Sequence, residues 1–165
     1  MEKQILENVE SNSLIVQDTV KDILGDATKE LDDYITSIRD LFLSDKPIPD
    51  GDLDKIILRI PTYIYYLTQF LQALDIRKGV SAESAKYTEN EALLSATGTV
   101  AEKQAQASNK SLSNRLIQIA YKTATAIVQG KVNGAMEILG SAKKVQQRKL
   151  EEMKLTKMAG DSVAF

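Results

Sequence analysis

Apolar residues recur along this chain at spacings of three and four, the period of one face of an α-helix. Ile5, Leu6, Val9, Ile15, Val16, Val20, Ile23 and Leu24 mark a first helix over about residues 2–24, with Ser11-Asn12-Ser13 as a possible interruption. Gly25-Asp26 reads as a helix stop followed by an N-cap. Beyond it Leu31, Tyr34, Ile35, Ile38, Leu41 and Phe42 form the stripe of a second helix, ending near Leu43. Residues 44–51, with Pro47, Pro49 and Gly51, are the clearest loop. Asp52 is the expected cap of a third helix carrying Leu53, Ile56, Ile57, Ile60, Ile64, Leu67, Phe70, Leu71 and Leu74. Pro61 either kinks that helix or starts a new one in its first turn. Tyr63, Tyr65 and Tyr66 sit too close together for all three to face one way.

Gly79 and Ser81 predict a further boundary, with a small-residue helix from about Ala82 to Ser113. Thr99-Val100-Ala101-Glu102 after Gly98 matches a capping box and predicts a break or restart near residue 98. The last helix is expected from about Ser111 to Met158, on a seam that includes Ile127, Val128, Ile138 and Leu139. Gly130 and Gly134 fall one turn apart inside it. An interior glycine costs about 1 kcal/mol against alanine. Close approach of another helix, with Ile127 and Ile138 alongside, is therefore the expected role of this stretch. The fold class that follows is all-α: elongated helical hairpins or a bundle, with coiled-coil character and a long C-terminal helix that oligomerises. The expected organisation is an acidic helical segment over residues 1–50, a helical core over 51–158 that oligomerises and binds, and a flexible tail over 159–165.

The composition narrows the chemistry. Cysteine and histidine are absent from the 165 residues, which removes thiol nucleophiles, disulfides, Cys/His zinc sites and the usual neutral-pH base. No phosphate loop or nucleophile elbow occurs. The expectation is a protein that is not an enzyme and carries neither metal nor cofactor. Asp50-Gly51-Asp52-Leu53-Asp54 lacks the ligand register and terminal glutamate of a calcium loop and reads as a capped turn. Catalysis by the carboxylates of residues 45–54 is the remaining enzymatic alternative. The start of the chain has no basic and apolar leader pattern, and no run approaches a membrane span, so a cytoplasmic protein without membrane contact is expected.

Charge is unevenly placed. Residues 1–54 hold 14 Asp/Glu and 5 Lys/Arg, whereas residues 55–165 hold 9 and 16. The basic part is suited to a polyanion. Lys103, Lys110, Arg115, Lys122, Lys143, Lys144, Arg148 and Lys149 are the candidate phosphate contacts, with Tyr87 and Tyr121 the nearest rings on which a base could stack. The alternative is a solvated face whose cations pair internally, for example Lys144 or Arg148 with Glu151 and Glu152, or neutralisation between the acidic and basic regions.

Over roughly residues 82–158 the order of features resembles the UvsY-like recombination mediators of tailed bacteriophages. The stretches concerned are the small-residue helix, Leu116-Ile117-Gln118-Ile119-Ala120-Tyr121-Lys122, and Gly134-Ala135-Met136-Glu137-Ile138-Leu139-Gly140-Ser141-Ala142-Lys143-Lys144. The resemblance implies a homo-oligomer that binds single-stranded DNA and helps load a RecA-like recombinase onto strands occupied by a single-strand-binding protein. The chain departs from the family pattern in having no basic-x-basic pair followed by paired tyrosines; only Glu102-Lys103 and Lys110 stand in that region. The acidic N-terminal 54 residues have no counterpart in it. The rival reading is a structural or scaffolding helical protein, a virion or chaperone-like component, that binds protein only.

Overall fold

The computed structural model describes residues 2–161, and every regular element among them is an α-helix: α1 Glu2–Leu24, α2 Lys29–Leu43, α3 Asp50–Ser95 and α4 Val100–Asp161. The all-α class and the long C-terminal helix are as expected. The tail expected over 159–165 lies outside the described residues from 162 onward, and α4 runs through Asp161.

Several boundaries differ from those read in the sequence. α1 passes through Ser11–Ser13 without a break. The cap of α2 is Thr28, not Asp26; its hydroxyl donates to the Asp32 carboxylate at 3.0 Å. α3 begins at Asp50, two residues before the expected cap, with the Asp52 and Leu53 amides both bonded to the Pro49 carbonyl at 3.1 Å. Pro61 neither ends nor restarts that helix. Its missing N–H costs one backbone bond, and the Leu53, Ile56, Ile60 and Leu67 side chains packed on both sides of it outweigh that loss. The boundary expected at Gly79 and Ser81 is absent for the same reason: Ser81 bonds back to the Lys78 carbonyl at 2.9 Å and does not cap.

The break near residue 98 is where the sequence placed it. Gly98 has φ +110°, a backbone region that side chains disfavour. The Glu102 carboxylate accepts the Thr99 amide at 2.8 Å, while the Glu102 amide lies 3.4 Å from the Thr99 hydroxyl, which closes the capping box. α4 then continues past residues 111–113 with no further boundary.

α3 and α4 share a seven-residue rhythm. In α3, Leu53, Ile60, Leu67, Leu74, Ser81 and Thr88 form one line and Ile57, Ile64, Leu71, Lys78, Ala85 and Ala92 the other, all buried or half-buried. In α4 the lines are Ala107, Asn114, Tyr121, Val128, Ala135, Ala142 and Lys149, and Ser111, Gln118, Thr125, Val132, Leu139 and Gln146, again all buried or half-buried. Alternating spacings of three and four keep such a seam turned toward a supercoiled partner.

The chain divides into two compact units, Met1–Ala27 with Gln69–Gln129, and Thr28–Thr68 with Gly130–Phe165, so the division cuts across the linear one expected at residue 50. In the first unit the C-terminal half of α3 runs antiparallel to the start of α4. Asn114 donates to the Thr88 hydroxyl at 2.8 Å and Arg115 pairs with Glu89 at 2.6 Å. Ala120 and Ala124 are fully buried off the α3-facing seam, and α1, buried at Val20, is the remaining helix of the unit to cover them. In the second unit α2 buries Leu31, Tyr34 and Ile38. The Tyr34 ring lies 5.5 Å from that of Tyr63 and under the Arg59 guanidinium at 5.7 Å, and Lys131 of α4 pairs with Asp32 of α2. Of the clustered tyrosines Tyr63 is thus packed, whereas Tyr65 and Tyr66 are exposed and stack edge-on at 5.6 Å.

Candidate nucleic-acid interface

α4 carries eleven Lys/Arg against five Asp/Glu, so a cationic surface is written into this one helix. Helical period and antiparallel pairing then decide which charges stay available. The eight candidates fall in both units: Lys103, Lys110, Arg115 and Lys122 in the first, Lys143, Lys144, Arg148 and Lys149 in the second.

Two of the eight are engaged within the chain. Arg115, half-buried, pairs with Glu89 and reaches the Ser108 hydroxyl at 3.4 Å. Lys149 pairs with Asp50 at 2.7 Å and donates to the Ile48 carbonyl, tying α4 to the start of α3. Both lie on or beside the helix seam, where an antiparallel neighbour brings acids from far along the sequence. The other six, Lys103, Lys110, Lys122, Lys143, Lys144 and Arg148, make no ion pair among the described residues. The internal pairing of Lys144 or Arg148 with Glu151 is not formed; Glu151 instead accepts from Gln147 at 3.0 Å. In contrast, Lys21, Arg39, Lys55, Lys78 and Lys86 each hold an acid within one turn.

The six free cations are grouped, but not into one stripe. In the second unit Lys143, Lys144 and Arg148 are all exposed, with Lys144 and Arg148 four apart on one face of α4. In the first unit Lys103 and Lys110 stand seven apart on one flank of the seam, and Lys122 stands on the other, seven residues from the engaged Arg115. Lys110 lines a shallow groove of about 320 Å³ with Thr88 and Glu91, so an acid faces it. Lys122 shares a groove of about 480 Å³ with Lys78, Gln118 and Ile119. Lys78 is a cation that sequence reasoning did not single out; its place beside Lys122 depends on the α3–α4 register. The Tyr87 hydroxyl donates to Glu91 at 2.9 Å, which holds its pKa above the ordinary value, and its ring is exposed; Tyr121 is half-buried in a groove with Asn114.

Asp50, Asp52 and Asp54, read in the sequence as part of a capped turn, instead lie in the opening turns of α3, and each is engaged. Asp50 pairs with Lys149, Asp52 with Lys55 at 3.0 Å, and Asp54 accepts from Gln146 at 2.8 Å. Asp50 and Asp52 also lie in the first turn of α3, where negative charge is favoured. Among the described residues no group of three or more acidic side chains is placed to hold a metal ion, and no helix is long and apolar enough to cross a membrane.

The glycines expected to bring helices together do not do so within the chain. A Cβ built at Gly130, Gly134 or Gly140 would meet nothing within 4 Å. Ile138 instead lines a groove of about 290 Å³ between α4 and Leu31, Ile35 and Thr36 of α2, and Ile127 is half-buried. No known family, curated protein or solved structure matches the chain.

Proposed function

We propose that this chain is an oligomeric accessory protein that binds single-stranded DNA through α4 and assists the loading of a RecA-like recombinase in phage recombination or replication. One observation carries the binding step. Among the described residues eight of the eleven cations of α4, six of them the candidates Lys103, Lys110, Lys122, Lys143, Lys144 and Arg148, hold no intramolecular acid, while on the other helices Lys21, Arg39, Lys55, Lys78 and Lys86 each hold one within a turn and Arg59 and Arg77 do not. Unpaired lysine and arginine on a rigid helix attract phosphates without first breaking an ion pair, and binding would be electrostatic with little sequence preference. The recombinase-loading step rests on the resemblance over residues 82–158.

Fluorescence anisotropy of a labelled single strand across a salt series tests the reading. Engagement of three phosphates predicts a slope of log K against log salt of about −2. Absence of binding at low salt would sink it. In that event the structural or scaffolding alternative gains, and the engagement of Arg115 and Lys149 in helix pairing already favours it at those two positions.

A further inference from the structure

The outer face of α3 in the first unit carries a second seven-residue stripe that no helix covers among the described residues. Ala73, Val80, Tyr87 and Leu94 follow one another at intervals of seven, with Ile76 between the first two. Ile76 is 69% exposed, Val80 65%, Tyr87 64% and Leu94 89%. Ile76 and Val80 also form one wall of a groove of about 300 Å³ whose other wall is Ile117 and Tyr121 of α4. A ridge thus stands beside an apolar groove that it helps to line. Arg77, at the groove edge, has no acid partner among the described residues.

We propose that this face is a self-association surface, on which α3 of a second copy of the chain lies antiparallel about a twofold axis close to Val80. The seven-residue spacing identifies the occupant as a helix, because only a supercoiled helix stays in register with it. Charge and size identify that helix as α3 itself, since a contact between identical surfaces must be self-complementary. With Val80 opposite Val80, Arg77 faces the second copy's Glu83, an exposed acid whose Oε1 also holds Lys86 at 2.8 Å, and Ala73 faces its Tyr87, so opposite charges meet and a small residue opposes a large one. A parallel arrangement would set Arg77 against Arg77 and Tyr87 against Tyr87. The ridge of Ile76 and Val80 on each copy then enters the groove of the other. This names the partner surface for the oligomer in the proposed function and rests on that part of it; it needs no nucleic acid.

The absence of cysteine makes the test direct. In the full-length chain without DNA, Val80→Cys is expected to form a covalent dimer under mild oxidation much faster than Asp75→Cys, which sits about 140° round the helix. Sedimentation should show Val80→Glu with Tyr87→Glu associating at least about tenfold more weakly than the parent, since unpaired charge would be buried. Both side chains are exposed in the single chain, so helix content by circular dichroism should not change. Arg77→Glu alone should weaken association about two- to fivefold, and adding Glu83→Arg should restore it. A parent chain that sediments as a monomer throughout, equal cross-linking at positions 75 and 80, or failure of the charge swap to restore association would each overturn the proposal. None of those results bears on the anisotropy salt series, so the two readings fail separately.

Discussion

Tyr34 combines a packing role in α2 with an unmet polar group. Its ring is held between Tyr63 and Arg59, and its hydroxyl is buried without a hydrogen-bond partner among the described residues. Burial raises its pKa above the ordinary tyrosine value, the Arg59 charge opposing. A buried unsatisfied hydroxyl is costly, so Tyr34→Phe should leave stability unchanged or raise it by up to about 1 kcal/mol in urea denaturation. A loss of stability would mean that the hydroxyl has a partner. At Glu102 the bond from the Thr99 amide, reinforced by the Thr99 hydroxyl, lowers the carboxyl pKa. The folded form therefore prefers the carboxylate. Its contribution to stability is complete above the ordinary carboxylate pKa and is lost as pH falls through the depressed value. The protection of the Thr99 amide against hydrogen exchange, measured relative to the unstructured rate at each pH, should fall on acidification over that range, and Glu102→Ala should make that protection low at every pH there. Gly98→Ala should disturb the same cap, because its φ is +110° and a Cβ would come within 2.5 Å of the Glu102 carboxylate.

Among the elements, α4 is where residue preference and packing disagree most. Gly130, Gly134 and Gly140 lie inside a 62-residue helix with open space where a methyl group would go. Gly130→Ala should therefore stabilise the chain by about 1 kcal/mol, measured as a shift in the urea midpoint at constant m-value. Destabilisation, or weaker association with helix content intact, would instead assign the glycine to an interface with another copy. The expected boundaries at residues 79–82 and 111–113 failed on the same principle. Glycine and serine weaken a helix by amounts that a continuous packed seam exceeds, so punctuation predicts an end only where the chain is also exposed, as at 97–99.

For the whole molecule, the division of charge along the chain is the feature with a functional consequence. The acidic residues 1–54 hold only five Lys/Arg, and the basic surplus is concentrated on α4. Arg115, Lys131 and Lys149 are engaged by Glu89, Asp32 and Asp50, which leaves the Lys143, Lys144 and Arg148 cluster as the least compensated candidate for binding phosphate. Lys144→Ala with Arg148→Ala should weaken single-strand binding and reduce the magnitude of the salt slope by about 1.4, close to 0.7 for each phosphate no longer neutralised. Arg115→Ala should leave the slope unchanged and lower stability by up to about 1 kcal/mol, since a partly exposed pair contributes little. The reverse assignment, with Arg115 controlling the slope, would require the Glu89 pair to open on binding.

Local chemistry was legible in the sequence. Spacings of three and four specified helices, Gly98 with Thr99 and Glu102 specified the α3–α4 turn, and the proline-rich stretch read over 44–51 specified the α2–α3 connection, found over 44–49, because each depends on side chains within one or two turns. The availability of a given lysine was not legible. Lys149 meets Asp50, 99 residues away, only because α3 and α4 pack antiparallel in one register, and Lys131 meets Asp32, also 99 residues away, only because α2 packs beside α4. The tertiary structure likewise decided that Gly130 and Gly134 face open space and that Ile76 and Val80 face outward beside a groove. Which face of a long amphipathic helix is covered depends on the partner's position, and that is set by the sum of distant contacts.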